Sequence, residues 1–192
     1  MAAFLRASCR SLLSSSRLPF ASQAVQKPPF DSNILRIFGN EIEYQLDYAP
    51  PHSPVTKFNA FMVEDRPGEK WITLKRKFGK DEHIKIKATM IDGAITVRLH
   101  INVLVDIWKG EGSDFLEFVC SSWLNSLEIQ KLYLEVTVLK GLNSDFRDGL
   151  NVFLKARGIN DELFAFLHEF MMNKDRLEAI GWLRKLQFFI KN

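Results

Sequence analysis

Residues 94–108 read AITVRLHINVLVDIW. Ile95, Val97, Leu99, Ile101, Val103, Val105 and Ile107 take every second position, with Thr96, Arg98, His100, Asn102 and Asp106 between them. A two-residue period sustained over such a run puts one face of a strand on a core and the other toward water. A parallel strand buried on both faces reads as an almost continuous apolar run instead. The stretch is the clearest strand of the chain.

The same period extends to both sides of it. Asp92-Gly93 is a hairpin signal, and it follows HIKIKATM (83–90), where Ile84, Ile86, Ala88 and Met90 share the apolar face. Before the GKDE turn (79–82), WITLKRKF (71–78) sends Ile72, Leu74 and Phe78 one way and Trp71, Thr73, Lys75 and Lys77 the other. Further upstream Phe58, Ala60 and Met62 alternate ahead of an EDRPGE turn (64–69). Downstream, KGEGSD (109–114) loops to FLEFVCSSW (115–123). A last strand, LYLEVTVL (132–139), carries Leu132, Leu134, Val136 and Val138 inward. Connections this short favour a meander of six or seven strands over parallel crossovers.

Helical spacing brackets the sheet. DSNILRIFGNEIEYQLDY (31–48) opens with a capping Asp31 or Ser32, repeats Ile34, Leu35, Phe38 and Ile42, and stops at the prolines of APPHSP. From Asn143 a helix carries Phe146, Leu150, Phe153 and Leu154 to a C-cap at Gly158. Asn160 or Asp161 opens another with Leu163, Phe166, Leu167 and Phe170, which "NKD" (173–175) interrupts or kinks. On residues 177–190, Ala179, Trp182, Leu183, Leu186, Phe189 and Ile190 form one broad apolar face, while Leu177 and Phe188 fall roughly opposite. A single core-facing stripe explains only the first group. Helix, strands, then helices is an α+β pattern.

With 192 residues and 46% apolar content, the chain can bury one substantial core and is short for two domains. Residues 1–30 hold Arg6, Arg10, Arg17 and Lys27 and no acid; removing that +4 from the overall +3 leaves about −1 for residues 31–192. An opening rich in Arg, Ser and Ala and poor in acids has the composition of an organellar transit peptide, with mitochondrion ahead of plastid. The expected organisation is a leader over 1–30, its cleavage point open, and a single domain over 31–192. No apolar run reaches the 18 residues of a membrane span. Cys9 and Cys120 give no disulfide framework.

No arrangement of residues points to catalysis. HEFMM at His168 has Met172 where a zinc-protease helix needs its second histidine. His52, His83 and His100 make no metal spacing with Cys120. The GEG of 110–112 lies between strands and lacks the rest of a dinucleotide fingerprint. No cofactor and no enzymatic activity are expected. One surface feature stands out: Lys75, Lys77, Lys85 and Lys87 share the polar face of one hairpin, with Arg76 and Lys80 nearby. This is either a patch for phosphates, RNA or anionic lipid head groups, or a solvated sheet face neutralised by Asp81, Glu82 and acids on the next strand.

FNAFMVED (58–65), WITLKRKF (71–78) and DGLNVFLKARGINDELFAFLHEFMMNKDRLEAIGWLRKLQFFIKN (148–192) together resemble the mitochondrial glycoprotein family, also called the mitochondrial acidic matrix proteins. The likeness spans about residues 34–192 and lies in apolar patterning. It implies a strongly twisted seven-stranded antiparallel sheet with one N-terminal and two C-terminal helices, assembled as a ring-shaped homotrimer. It also implies a non-enzymatic, scaffold or chaperone-like role in the mitochondrial matrix. Its partners would be matrix proteins or ribosomal components, in support of translation, ribosome assembly or oxidative phosphorylation. RNA or anionic-lipid binding through the lysine hairpin is the alternative. Under the family reading, Trp182 and Phe189 face the sheet while Leu177 or Phe188 meets another subunit, so that Leu177, Trp182, Phe188 and Phe189 are candidate oligomer contacts. The chain departs from the family in charge: members are markedly acidic, and residues 31–192 are near neutral.

Overall fold

A computed structural model describes residues 29–48, 50–90, 100–110, 114–123, 126–135, 137–139 and 143–192. The expected leader up to residue 28, the Asp92-Gly93 turn, Ile95, Val97 and Leu99 of the long alternation, Glu111 and Gly112, and Val136 lie outside the described residues.

Helix α1 (Pro29–Tyr48) leads into strands β1 (Lys57–Phe58), β2 (Phe61–Asp65), β3 (Trp71–Phe78), β4 (Glu82–Met90), β5 (Ile101–Lys109), β6 (Phe115–Trp123), β7 (Ser126–Leu134) and β8 (Thr137–Leu139). Helices α2 (Ser144–Ala156) and α3 (Asp161–Lys191) close the chain. Every strand pairs antiparallel with its sequence neighbour, so spatial order follows chain order. The α+β antiparallel architecture with one leading and two closing helices is as expected.

Among the described residues the sheet has eight strands, and both of its ends differ from the sequence reading. Asn59 adopts a left-handed φ of 51°, which closes a two-residue turn between β1 and β2 and pairs Phe58 with Phe61. The phase reverses there: Phe61 and Val63 are buried, while Met62 is exposed. At the other end Glu135, with φ 54°, folds β8 back on β7, so Leu132 stays buried and Leu134 turns to solvent. Short polar residues tolerate this conformation and bulky ones do not, and Glu135 carries no such signal in the sequence. A bulge between Val119 and Cys120 and their β7 partners leaves Gln130 unpaired, so Ile129 and Leu132 both face inward across three residues.

Between these ends the alternation holds. Ile72, Leu74, Ile84, Ile86, Ala88, Ile101, Val103, Val105, Ile107, Phe118 and Cys120 line one face and are buried. Helix α2 contributes Leu154, and α3 contributes Leu163, Phe164, Leu167, Phe170 and Met171 to the same core. Fully burying one such side chain is worth about 1.5–3 kcal/mol. Asn143 and Asn160 cap α2 and α3 through bonds from the Phe146 and Leu163 amides, at 2.8 and 3.1 Å. A Schellman turn ends α2. The Gly158 and Ile159 amides reach back to Lys155 and Leu154, and Gly158 has φ 80°.

Helix α3 runs through the "NKD" stretch without a break. The polar groups there bond to other elements and so do not compete with the helix backbone. Asn173 Oδ1 accepts from the His52 amide at 3.1 Å, and its Nδ2 donates to the His52 carbonyl at 2.9 Å. Past this point α3 leaves the sheet and packs on α1. Ile180 and Leu183 meet Ile42, with Phe38 and Leu46 beside them, in a small core separate from the main one. The contacts run antiparallel: Asn173 meets His52, and Gln187 Nε2 donates to the Leu35 carbonyl at 3.4 Å.

Candidate functional site

Lys75, Lys77, Lys85 and Lys87 share the open face of the sheet, opposite the helices. Register pairs Lys75 directly with Lys85 and places Lys77 across from His83 and Lys87 across from Thr73. Like charges so placed repel unless offset. Glu64 on β2 offsets Lys75, with both carboxylate oxygens 2.8 Å from Nζ. Asp106 on β5 lies 3.5 Å from the Lys85 Nζ, and the Lys87 ammonium sits 4.0 Å over the Trp71 ring. Exposed pairs of this kind are worth about 0–1 kcal/mol each. The patch is a cationic face tempered by carboxylates.

Two residues grouped with this patch in the sequence belong elsewhere. Arg76 points to the helix side, where Nη1 donates to the Arg157 carbonyl at 2.8 Å and the guanidinium lies over Phe61 and Phe78. Glu82 is buried and holds Arg157 in a two-pronged ion pair, with Nη2 to Oε2 at 3.0 Å. The Arg157 guanidinium also stacks 3.4 Å from the Phe153 ring centroid. These groups lock the α2–α3 joint to the sheet.

The candidate oligomer contacts lie on the helix pair, and here the expected orientation is corrected. Trp182 and Phe189 do not face the sheet: they are 60% and 80% exposed, with Phe188 at 72% and Leu177 at 36%. The stripe that faces inward is Ile180, Leu183 and Gln187, three to four residues apart and directed at α1. The sequence reading had Leu183 on its apolar face but missed Ile180, and it added the bulky Trp182 and Phe189, which point away from α1.

An open cleft of about 430 Å³ lies between the β2–β3 turn and α3, lined in part by Gly68, Met90, Met171, Glu178, Trp182 and Lys185. At its base Lys174 is buried and fully engaged: Nζ donates to Asp65 Oδ1 and the Arg66 carbonyl, and lies 3.4 Å from Glu178. Glu178 in turn accepts from the Gly68 amide at 2.6 Å. Sequence reasoning missed this network, since a lysine in a polar "NKD" run reads as a surface residue.

The remaining reactive groups are sealed. Burial pushes the Cys120 thiol up to about 12, so it is protonated and inert. His168 is buried with Nε2 3.3 Å from Ser122 Oγ, and its Nδ1 has no partner among the described residues. Desolvation holds His168 below its ordinary pKa, with His100 adding to the effect. Among the described residues no three His, Cys, Asp or Glu side chains cluster as a metal site, and no helix is long and apolar enough to cross a membrane.

The fold is shared with solved structures. Trypanosoma brucei p22 superposes with a TM-score of 0.72 at 17% identity, covering 84% of this chain and 98% of that one. A Leishmania major protein, described as a sequence homologue of human p32, gives 0.69 at 14% identity over 83% and 99%. The chain is thus an α+β protein with the p22 and p32-like fold. Residues 138–190 match the family model described as mitochondrial glycoprotein. An Arabidopsis thaliana protein, described as uncharacterized and mitochondrial, is 25% identical over 212 residues, covering 92% of this chain and 84% of that one. Together these findings support the mitochondrial glycoprotein family, as the sequence resemblance implied.

Proposed function

We propose that this chain is a non-catalytic mitochondrial binding protein that acts as a scaffold in the matrix, assembled as a ring-shaped homotrimer. Leu177, Trp182, Phe188 and Phe189 supply contacts between subunits. Matrix proteins or ribosomal components are its partners, in support of translation, ribosome assembly or oxidative phosphorylation. One observation carries the reading: the last turns of α3 present Trp182, Phe188 and Phe189 to solvent at 60–80% exposure. Large aromatics grouped on a surface mark an interaction site. The family match, the mitochondrial description of the Arabidopsis relative and the acid-free, Arg-rich residues 1–30 support the location. Light scattering on the full chain after size exclusion tests the assembly: a mass of three chains is expected, and a stable monomer would overturn it.

The direct pairing of Lys75 with Lys85, flanked by Lys77 and Lys87, favours a second reading in which this face binds RNA or anionic lipid. Such binding falls steeply with salt because phosphate contacts release counterions. An RNA titration showing no affinity even at low salt removes it.

A further inference from the structure

The open face of the sheet is rich in large rings. Trp71, Trp108 and Trp123, three of the four tryptophans in the chain, lie on it, where strand alternation directs them away from the helices. All three are partly buried, and each lies against a nitrogen-bearing side chain. The Lys87 ammonium sits 4.0 Å over Trp71, and the His83 ring stacks 5.7 Å from Trp108 with 15° between the planes. His100 lies 4.7 Å from the Trp123 ring. The four lysines run diagonally between the first two rings. Lys87 is diagonal to Trp71, Lys75 faces Lys85, and Lys77, His83 and Trp108 stand abreast on three adjoining strands. From Trp71 to Trp108 the strip is roughly 20 Å long, at about 3.3 Å per strand residue. Charge is graded across the face. Asp106, Glu117 and Glu128 lie on β5 to β7, and Glu64 on β2 borders the lysines from the other side. Lys75 and Lys85 hold Glu64 and Asp106, whereas Lys77 and Lys87 form no ion pair among the described residues.

We propose that this strip of β3 to β5 binds single-stranded nucleic acid, with phosphates on the four lysines and bases stacked on Trp71 and Trp108. The inference deepens the second reading above and rests on it. Lysines alone would serve any polyanion. The rings choose among polyanions, because a duplex hides its base faces inside the stack while a single strand offers them to aromatic side chains. A membrane surface favours tryptophans that reach into the headgroup layer, and these lie partly buried against their neighbours on the sheet. Moving the Lys87 ammonium off Trp71 frees a charge for a phosphate and a ring face for a base. The pairs with Glu64 and Asp106 are exposed and weak, so phosphates can replace those carboxylates.

The test is fluorescence anisotropy of the full chain with labelled oligouridine and oligodeoxythymidine of about ten nucleotides, beside an RNA duplex of equal length. The single strands are expected to bind at least tenfold more tightly than the duplex and to quench tryptophan fluorescence; the tighter of the two names the source. Lys77→Gln with Lys87→Gln is expected to weaken binding at least tenfold and to lower the logarithmic salt slope by about 1.4, at ~0.7 per phosphate. Trp71→Leu with Trp108→Leu is expected to weaken binding at least fivefold and leave the slope unchanged. The basic residues of 1–30 are common to every variant, so the differences report the sheet face. Circular dichroism checks each fold, and if the tryptophan variant does not fold, wild-type quenching decides. A duplex bound as tightly, or binding without quenching, would overturn the stacking and leave the cationic face standing. Binding that the lysine variant does not change would overturn both readings. No affinity for any of the nucleic acids at low salt would overturn the inference; sedimentation with phosphatidylglycerol vesicles would then assign the face to anionic lipid, and its absence would remove the second reading as well.

Discussion

The described residues form two cores of very different depth. Under the sheet, α2 and α3 close over Ile72, Leu74, Ile86, Val103, Val105 and Phe118, all without solvent exposure. Beyond the sheet, α1 and the second half of α3 share only Ile42, Ile180 and Leu183 as buried residues, each 3–8% exposed. The first core takes side chains from many elements. The second is one helix on another, with the far side of each open to water. A sheet face has one inside. A helix in a pair has one buried stripe and roughly two-thirds of its surface free to meet something else.

Substitutions can break or sharpen this contrast. The largest loss is expected from Phe118→Ala, about 3–5 kcal/mol, because the cavity lies where the sheet cannot collapse onto it. Leu183→Ala is expected to cost about 2 kcal/mol and to loosen the helix pair first. Urea denaturation followed by hydrogen exchange separates the two. Equal losses with uniform loss of protection would mean that the cores unfold as one unit and the contrast is false.

Next is Glu82→Gln, which strands the Arg157 charge under the α2–α3 joint. Removing one partner of a buried pair costs about 3–5 kcal/mol, and the side chains here are 8% and 12% exposed. Some water reaches the pair, so the lower end of that range is expected in a chemical melt. A change below about 1 kcal/mol would show that the pair is effectively solvated.

Gly158→Ala is expected to destabilise by about 1–3 kcal/mol for two reasons. The residue has φ 80°, and a Cβ would meet Arg76 Nη1 at 2.5 Å. A thermal melt that matched wild type would mean that the Arg76 side chain moves aside freely and the joint is looser than described.

The smallest effect is that of pH. The fold keeps His168 neutral, so the unfolded chain takes up the proton first as pH falls through the ordinary value of 6.5. Its contribution to stability is complete above that value and declines below it, toward the depressed folded pKa. Urea midpoints measured from about pH 7.5 down to about pH 5.5 should fall for wild type and fall less for His168→Gln. Identical slopes would show that His168 escapes to water when it protonates.

Legibility followed the same division. The period of two in residues 71–90 and 101–107 named the buried face residue by residue, because a strand offers only two directions. It failed at the sheet's ends. There, single residues with positive φ, Asn59 and Glu135, split runs that looked continuous and reversed the phase of Met62 and Leu134. On α3, four apolar residues in each turn or two allowed more than one stripe. The reading put Trp182 and Phe189 on one face with Leu183 and left out Ile180, whereas α1 selects Ile180 and Leu183. The lysines of the hairpin were correctly placed together. Arg76 and Glu82 were not, because a charged side chain on the inner face is unreadable until the helix that covers it, and Arg157 on that helix, are in place.

By itself, the sequence determined the α+β class, the order of elements, the inward residues of the central strands and the starts of the last two helices, near Asn143 and at Asn160 or Asp161. These depend on neighbours a few residues apart along one chain, where backbone geometry sets the period. Only the tertiary structure decided the phase at the sheet's ends, the burial of Lys174 and Glu82, and which side of α3 stays open. The buried charges depend on partners far along the chain, Asp65 for Lys174 and Arg157 for Glu82. A polar group or an aromatic ring goes where its desolvation is compensated, and nothing within its own turn of helix records where that is.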